Sequence, residues 1–103
     1  MKITIQAIHF NADENLLVFV QKKTEKLEQY FGQIIDTEVY LKLEKGDIEN
    51  KVAEIKIHLP GTSLFAKAQC KTFEEAIDLN VESLVRQLDK HKSKLAEQVN
   101  SLS

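Results

Sequence analysis

Residues 2–8, KITIQAI, alternate between apolar and polar, with Ile3, Ile5 and Ala7 on one side. A two-residue period predicts a strand with one buried face. HFNAD interrupts the alternation, and Asp13 has the short acceptor side chain that caps a helix start. From Glu14 to Phe31 the apolar residues Leu16, Val20, Leu27 and Phe31 recur at helical spacing, with Leu17 beside them. Gly32 follows, the residue type that often ends a helix in a left-handed conformation. TEVYLKLEK returns to period two and directs Val39, Leu41 and Leu43 inward, and GDIEN is a polar turn. KVAEIKIHL places Ala53, Ile55, Ile57 and Leu59 on one face. Pro60 and Gly61 suit the two central positions of a type II turn. SLFAKAQCK then sends Leu64, Ala66, Ala68 and Cys70 inward. Thr72 with Glu75 three residues later has capping-box spacing. Beyond it Ile77, Val81, Leu84, Leu88, Leu95 and Val99 form the apolar stripe of a second helix.

The order is strand, helix, three strands, helix. Strands joined through a helix run parallel with a right-handed crossover, and the next strands form an antiparallel meander. Each alternating strand has one face to bury, and two amphipathic helices can cover it. The expectation is an α+β fold: a two-layer β-α-β-β-β-α sandwich with a four-stranded mixed sheet, both helices on one face and the other face in water.

At 103 residues the chain makes one domain, residues 1–103, long enough to bury a core without staples. With 43% apolar and 29% charged residues it is neither disordered nor fibrous. Cys70 is the single cysteine, so no internal disulfide can form, which points to a cytoplasmic setting. No apolar run approaches the roughly 18 residues that cross a bilayer. The alternating N-terminus is unlike a signal peptide.

Charge adds a contrast. Lys and Arg number 14 against 16 Asp and Glu, yet RQLDKHKSKL, residues 86–95, concentrates Arg86, Lys90, Lys92 and Lys94 beside a single acid, Asp89. On a helical wheel that advances by about 100° per residue from Arg86, the core residues Ile77, Leu84, Leu88 and Leu95 gather on the side opposite Arg86. Lys90 and Lys94 fall within a quarter-turn of Arg86 and form a ladder with it, away from the core. Lys92 lies on the other flank, and His91 lies at the border of the apolar stripe. On the first helix Lys22 and Lys26 point away from the apolar stripe and Lys23 sits on its border. With both helices on one sheet face, these residues line a common solvent-facing surface. It gives way to an acidic zone at Glu74, Glu75, Asp78 and Glu82.

Two explanations fit this pattern. Acids at a helix start and bases at its end complement the macrodipole, and lysines on a wet face keep a protein soluble. Alternatively, spaced cationic heads bind phosphates and release counterions. Nothing else offers chemistry. His9, His58 and His91 form no metal-ligand pair with the thiol, no CxxC or HExxH occurs, and the turns lack the glycines of a phosphate loop. Cys70 reads as core filler. Neither an enzyme, a cofactor, a metal nor a small-molecule substrate is expected. Tyr40 and Phe65 fall on outward strand positions, too few for an RNA-stacking sheet.

The segments KLEQYF at 26–31, LKLEK at 41–45, AID at 76–78 and RQLDKHKSKL at 86–95 resemble, in this order and over nearly the whole chain, the ribosome hibernation-promoting factors. This family is also described as ribosome-associated inhibitors or sigma-54 modulation proteins. The resemblance implies a fold similar to double-stranded-RNA-binding domains. It also implies binding to the small ribosomal subunit and its ribosomal RNA, in the channel of messenger and transfer RNA, silencing translation in stress or stationary phase without catalysis. Matching positions for the RNA contacts are Lys23, Lys26, Arg86, Lys90, His91, Lys92 and Lys94; Lys22 joins them from the helical wheel. Ser83 stands where some relatives carry lysine. Ending at Ser103, the chain resembles the family's short form, expected to be a monomer when free. The alternative is a protein-interaction module using the exposed sheet face, with Val52, Phe65 and Tyr40 as its contacts.

Overall fold

The computed structural model describes residues 2–102, with side chains placed from residue 2 to residue 95. Strand β1 (Lys2–Ile8) leads into helix α1 (Glu14–Tyr30), followed by β2 (Asp36–Leu43), β3 (Lys51–Leu59), β4 (Thr62–Cys70) and helix α2 (Phe73–Leu102). The four strands form one sheet in the order β1-β2-β3-β4. β1 pairs parallel with β2, while β2–β3 and β3–β4 are antiparallel. This is the expected architecture, and its boundaries follow local chemistry. Asp13 accepts a 2.8 Å hydrogen bond from the Leu16 N–H to cap α1, and the Thr72 hydroxyl accepts one of 3.1 Å from Glu75 N–H at the start of α2. Gly61 sits at φ +81°, the conformation a type II turn demands at its third residue.

Both helices cover one sheet face. Val39, Leu41, Ala53, Ile55, Ile57, Leu59, Ala66 and Cys70 from the sheet meet Val20 and Leu27 of α1 and Ile77, Leu84 and Leu88 of α2 in one buried cluster. Each fully buried Leu or Ile contributes about 1.5–3 kcal/mol of transfer free energy. Cys70 belongs to this core, and burial first, then Glu75 and Glu49, pushes its thiol above the usual range. Thr24, buried on α1, satisfies its hydroxyl on the Val20 and Gln21 carbonyls. Asn80, buried on α2, donates to the Ala53 carbonyl at 2.9 Å and pins helix to sheet.

Four expectations need correction. Gly32 is not a left-handed cap: Phe31 ends α1 in an extended conformation at φ −140°. The Phe31 N–H is still bonded to the Leu27 carbonyl at 2.8 Å. That geometry leaves the Phe31 ring only 5% exposed, so core burial overrides the usual glycine stop. Leu43, at the end of β2, is exposed, because the helices do not reach over that corner. Leu95 is 40% exposed although it lies on the α2 stripe. A 30-residue helix is about 45 Å long, whereas nine-residue strands reach about 30 Å, so α2 overhangs the sheet. The long axis of the molecule, 55 Å, reflects this overhang. Val99 lies beyond the described side chains. Val52, finally, is buried at 1% rather than available on the outer sheet face. It pairs across strands with Lys42 and Gln69, whose long stems flank it. Among the described residues no helix is long and apolar enough to cross a membrane.

Candidate nucleic-acid interface

Helices α1 and α2 run side by side in the same direction. Near the start of α2, Lys23 reaches Asp78 at 3.0 Å. A few turns further along, the Tyr30 hydroxyl donates to Asp89, and the Lys92 ammonium donates to the Tyr30 carbonyl at 3.0 Å. These contacts fix the seam between the helices, and they fix which way every other residue of α2 points. Asp78, Asp89 and Lys92 occupy one arc of the helix facing α1. Arg86 stands on the outer, solvent side. Lys90, His91 and Lys94 turn toward β4, where they share a cleft with Gln87, Thr62 and Leu64.

The eight sequence-selected residues therefore divide into two groups. Lys23, Lys92 and His91 each have a partner within the fold, although Lys92 stays exposed. Lys23 pairs with Asp78 and lies 5.4 Å from the centre of the Phe19 ring. Lys92 sits 4.2 Å over the Tyr30 ring and closes an otherwise unpaired carbonyl in the last turn of α1, where a cation suits the helix dipole. The half-buried His91 packs its ring 5.7 Å from Phe31 at a tilt of 58°. Lys22, Lys26, Arg86, Lys90 and Lys94, by contrast, are exposed and have no ion-pair partner among the described residues. Their charge is directed to solvent.

The seam has its own electrostatics. Asp89 accepts the phenolic proton of Tyr30; that hydrogen bond first, then burial and the Asp89 charge, hold the hydroxyl above its usual value. The one acid within the basic segment is thereby turned toward α1. The outer sheet face has a mixed polar network instead. His58 Nε2 lies 2.7 Å from Glu38, its Nδ1 3.0 Å from the Ser63 hydroxyl, and Tyr40 donates to Glu38 at 3.1 Å. Lys42 and Lys67 flank Glu54 at 3.1 and 3.8 Å. Lys42 and Lys67 thus share one carboxylate on that face, and Phe65, 51% exposed, is its large exposed apolar residue. Among the described residues no group of three or more His, Cys, Asp or Glu is placed to hold a metal ion.

The family model of the sigma 54 modulation protein / S30EA ribosomal protein matches residues 3–96. The chain belongs to this family. Members similar to it include the ribosome hibernation promoting factor of Escherichia coli strain K12, 37% identical over 95 residues, covering 92% of this chain and 97% of that protein. The protein of the same name from Pseudomonas putida strain KT2440 is 33% identical over 94 residues, 91% of this chain and 89% of its own length. Among solved structures, a ribosomal subunit interface protein from Coxiella burnetii superposes with a TM-score of 0.81 over 90% of this chain and 99% of that one, at 22% identity. The N-terminal domain of Thermus thermophilus Protein Y gives 0.75 over 88% and 99%, at 24% identity. These two establish a shared fold.

Within this S30EA-family fold, two sets of residues escaped the sequence analysis. Tyr30 and Asp89 organise the seam, and a helical wheel drawn for contact with α1 places Asp78, Asp89 and Lys92 together. Thr62 and Leu64 line the α2 cleft from the β4 side. They lie on the strand just before α2, and only the packing of α2 back over β4 brings them beside Lys90 and Lys94.

Proposed function

We propose that the protein is a ribosome hibernation factor that binds the small ribosomal subunit through the cationic outer surface of its two helices. Membership of the S30EA family, with relatives named ribosome hibernation promoting factor, supports a ribosome-associated role in hibernation. The observation that carries the surface assignment is the solvation of Arg86, Lys90 and Lys94. All three are exposed on one helix without a carboxylate partner among the described residues, in a chain of net charge −2. Surface lysines that serve only solubility gain nothing from segregation. Lysines that contact a polyanion do, because each phosphate contact releases condensed counterions.

The mechanism is steric. A rigid domain with a basic helical surface enters the channel that messenger and transfer RNA occupy, and its cations hold it on ribosomal RNA backbone. Contacts to phosphate position the protein without reading base sequence, so shape and charge placement set recognition. Lys22 and Lys26 extend the surface onto α1, while Lys23, His91 and Lys92 act through the seam that sets the helices side by side. No step needs a nucleophile or a cofactor, and the domain acts in the cytoplasm as a monomer. The sheet-face alternative is weaker, because Val52 is buried and Tyr40, the second of its contacts, is engaged in the Glu38–His58 network.

Co-sedimentation with purified small subunits tests the proposal. Wild type should pellet with the subunit, and Arg86→Glu/Lys90→Glu/Lys94→Glu should stay in the supernatant with an unchanged circular dichroism spectrum. A folded triple variant that pellets as well as wild type would reject the helical surface.

A further inference from the structure

The cleft on the β4 side of α2 has a composition that sets it apart from the rest of the helix surface. Gln87, Lys90, His91 and Lys94 line one wall, and Thr62 and Leu64 at the start of β4 line the other, enclosing about 270 Å³. Among the described residues no carboxylate lines it. Lys90 and Lys94 have no ion-pair partner among the described residues, and the exposed Thr62 hydroxyl has no hydrogen-bond partner among them. Gln87 braces the two walls by donating to the Phe65 carbonyl of β4 at 3.0 Å and to the Ser83 hydroxyl at 3.1 Å. The cleft is therefore held by the scaffold. The half-buried Leu64 gives it an apolar floor.

This combination matches one nucleotide unit of an RNA backbone. A phosphodiester needs cations and neutral donors around its anionic oxygens and tolerates no nearby carboxylate. The ribose attached to it is the less polar part and suits an aliphatic floor. We propose that this cleft is a phosphate clamp in which Lys90 and Lys94 from α2 and the Thr62 hydroxyl from the β3–β4 hairpin grip one RNA backbone phosphate, with the adjoining ribose over Leu64. The inference rests on the reading of the protein as a ribosomal RNA binder and adds to it the hairpin as a second contacting element. Clamping from two elements gives the domain a fixed rotation about the α2 axis. A ladder of lysines on one helix cannot supply that.

Two substitutions with the same change in net charge separate the clamp from general electrostatics. Thr62→Asp puts a carboxylate into the cleft, whereas Lys56→Gln removes a cation from the opposite, outer face of the sheet. Binding to purified small subunits at fixed salt should weaken about tenfold or more for Thr62→Asp, the effect of a lost charge-assisted hydrogen bond, and less than about twofold for Lys56→Gln. Lys90→Gln/Lys94→Gln should lower the slope of log affinity against log salt by about 0.7–0.9, the share of the one phosphate the two lysines hold together. Thr62→Val, which keeps the side-chain shape and removes the donor, covers the case in which the aspartate disturbs the hairpin, and should bind more weakly than wild type. Equal affinities for Thr62→Asp and Lys56→Gln, with Thr62→Val at wild-type strength and wild type still bound, would overturn the clamp and leave the ribosomal reading standing. Absence of wild-type binding would overturn both.

Discussion

Replacing Arg86, Lys90 and Lys94 together with glutamine removes three positive charges from the outer side of α2 and touches no core residue, since all three side chains are exposed. Glutamine has nearly the helix propensity of lysine and arginine, so the helix itself should persist. The structural claim is that Arg86 contacts one phosphate and that Lys90 and Lys94 together hold a second. Each such contact contributes about 0.7–0.9 to the slope of log affinity against log salt, so the variant slope should be shallower by about 1.4–1.8. Over a fourfold rise in salt, from about 50 to 200 mM, wild type should therefore lose roughly 7- to 12-fold more affinity than the variant. Fluorescence anisotropy of labelled protein titrated with small subunits, repeated across that range, measures both slopes. Parallel salt dependences for wild type and variant would refute phosphate contact by these residues, whatever the absolute affinities.

Two further predictions concern the fold that presents the surface. Leu88→Ala opens a cavity where the side chain is 0% exposed and should destabilise by about 2.7–5 kcal/mol, seen as a large fall in the denaturant midpoint. Leu95→Ala, on the overhang of the same stripe, should cost no more than about 0.5 kcal/mol; a cost near that of Leu88→Ala would contradict the overhang. On the outer sheet face, hydrogen bonds from His58 and then Tyr40 hold the Glu38 carboxyl below its ordinary value. A depressed carboxylate stabilises the fold above its unfolded pKa and loses that contribution as pH falls through the folded one. Glu38→Gln should thus melt below wild type at neutral pH, and the gap should close on acidification. A gap that widens toward acid would reverse the assigned sign.

Alternation and helical spacing were enough for the element order, the parallel β1–β2 pairing and the side of the sheet that is buried, because local periodicity and short connections leave few topologies. The caps at Asp13 and Thr72 and the turn at Gly61 were legible for the same reason: each depends on a residue's own conformational and hydrogen-bonding chemistry. At Phe31 that reasoning failed, since tertiary burial of the ring outweighed the local preference of Gly32. For the cationic residues, the helical wheel gave the solvent-facing ladder of Arg86, Lys90 and Lys94 without saying which neighbours flank it.

The residue pattern already specified a β-α-β-β-β-α sandwich with basic residues on the wet side of its helices. Which of those cations are left without a partner depended on how the elements pack. Lys23 and Lys92 are taken up by Asp78 and the Tyr30 carbonyl, Asp89 is turned toward Tyr30, and Thr62 is brought beside Lys90 and Lys94 by the packing of α2 on β4. The reason is physical. Periodicity fixes the direction of a side chain relative to its own element, whereas the free or paired state of a charge depends on distances of a few ångströms to groups on other elements, and those are set only when helices and strands pack.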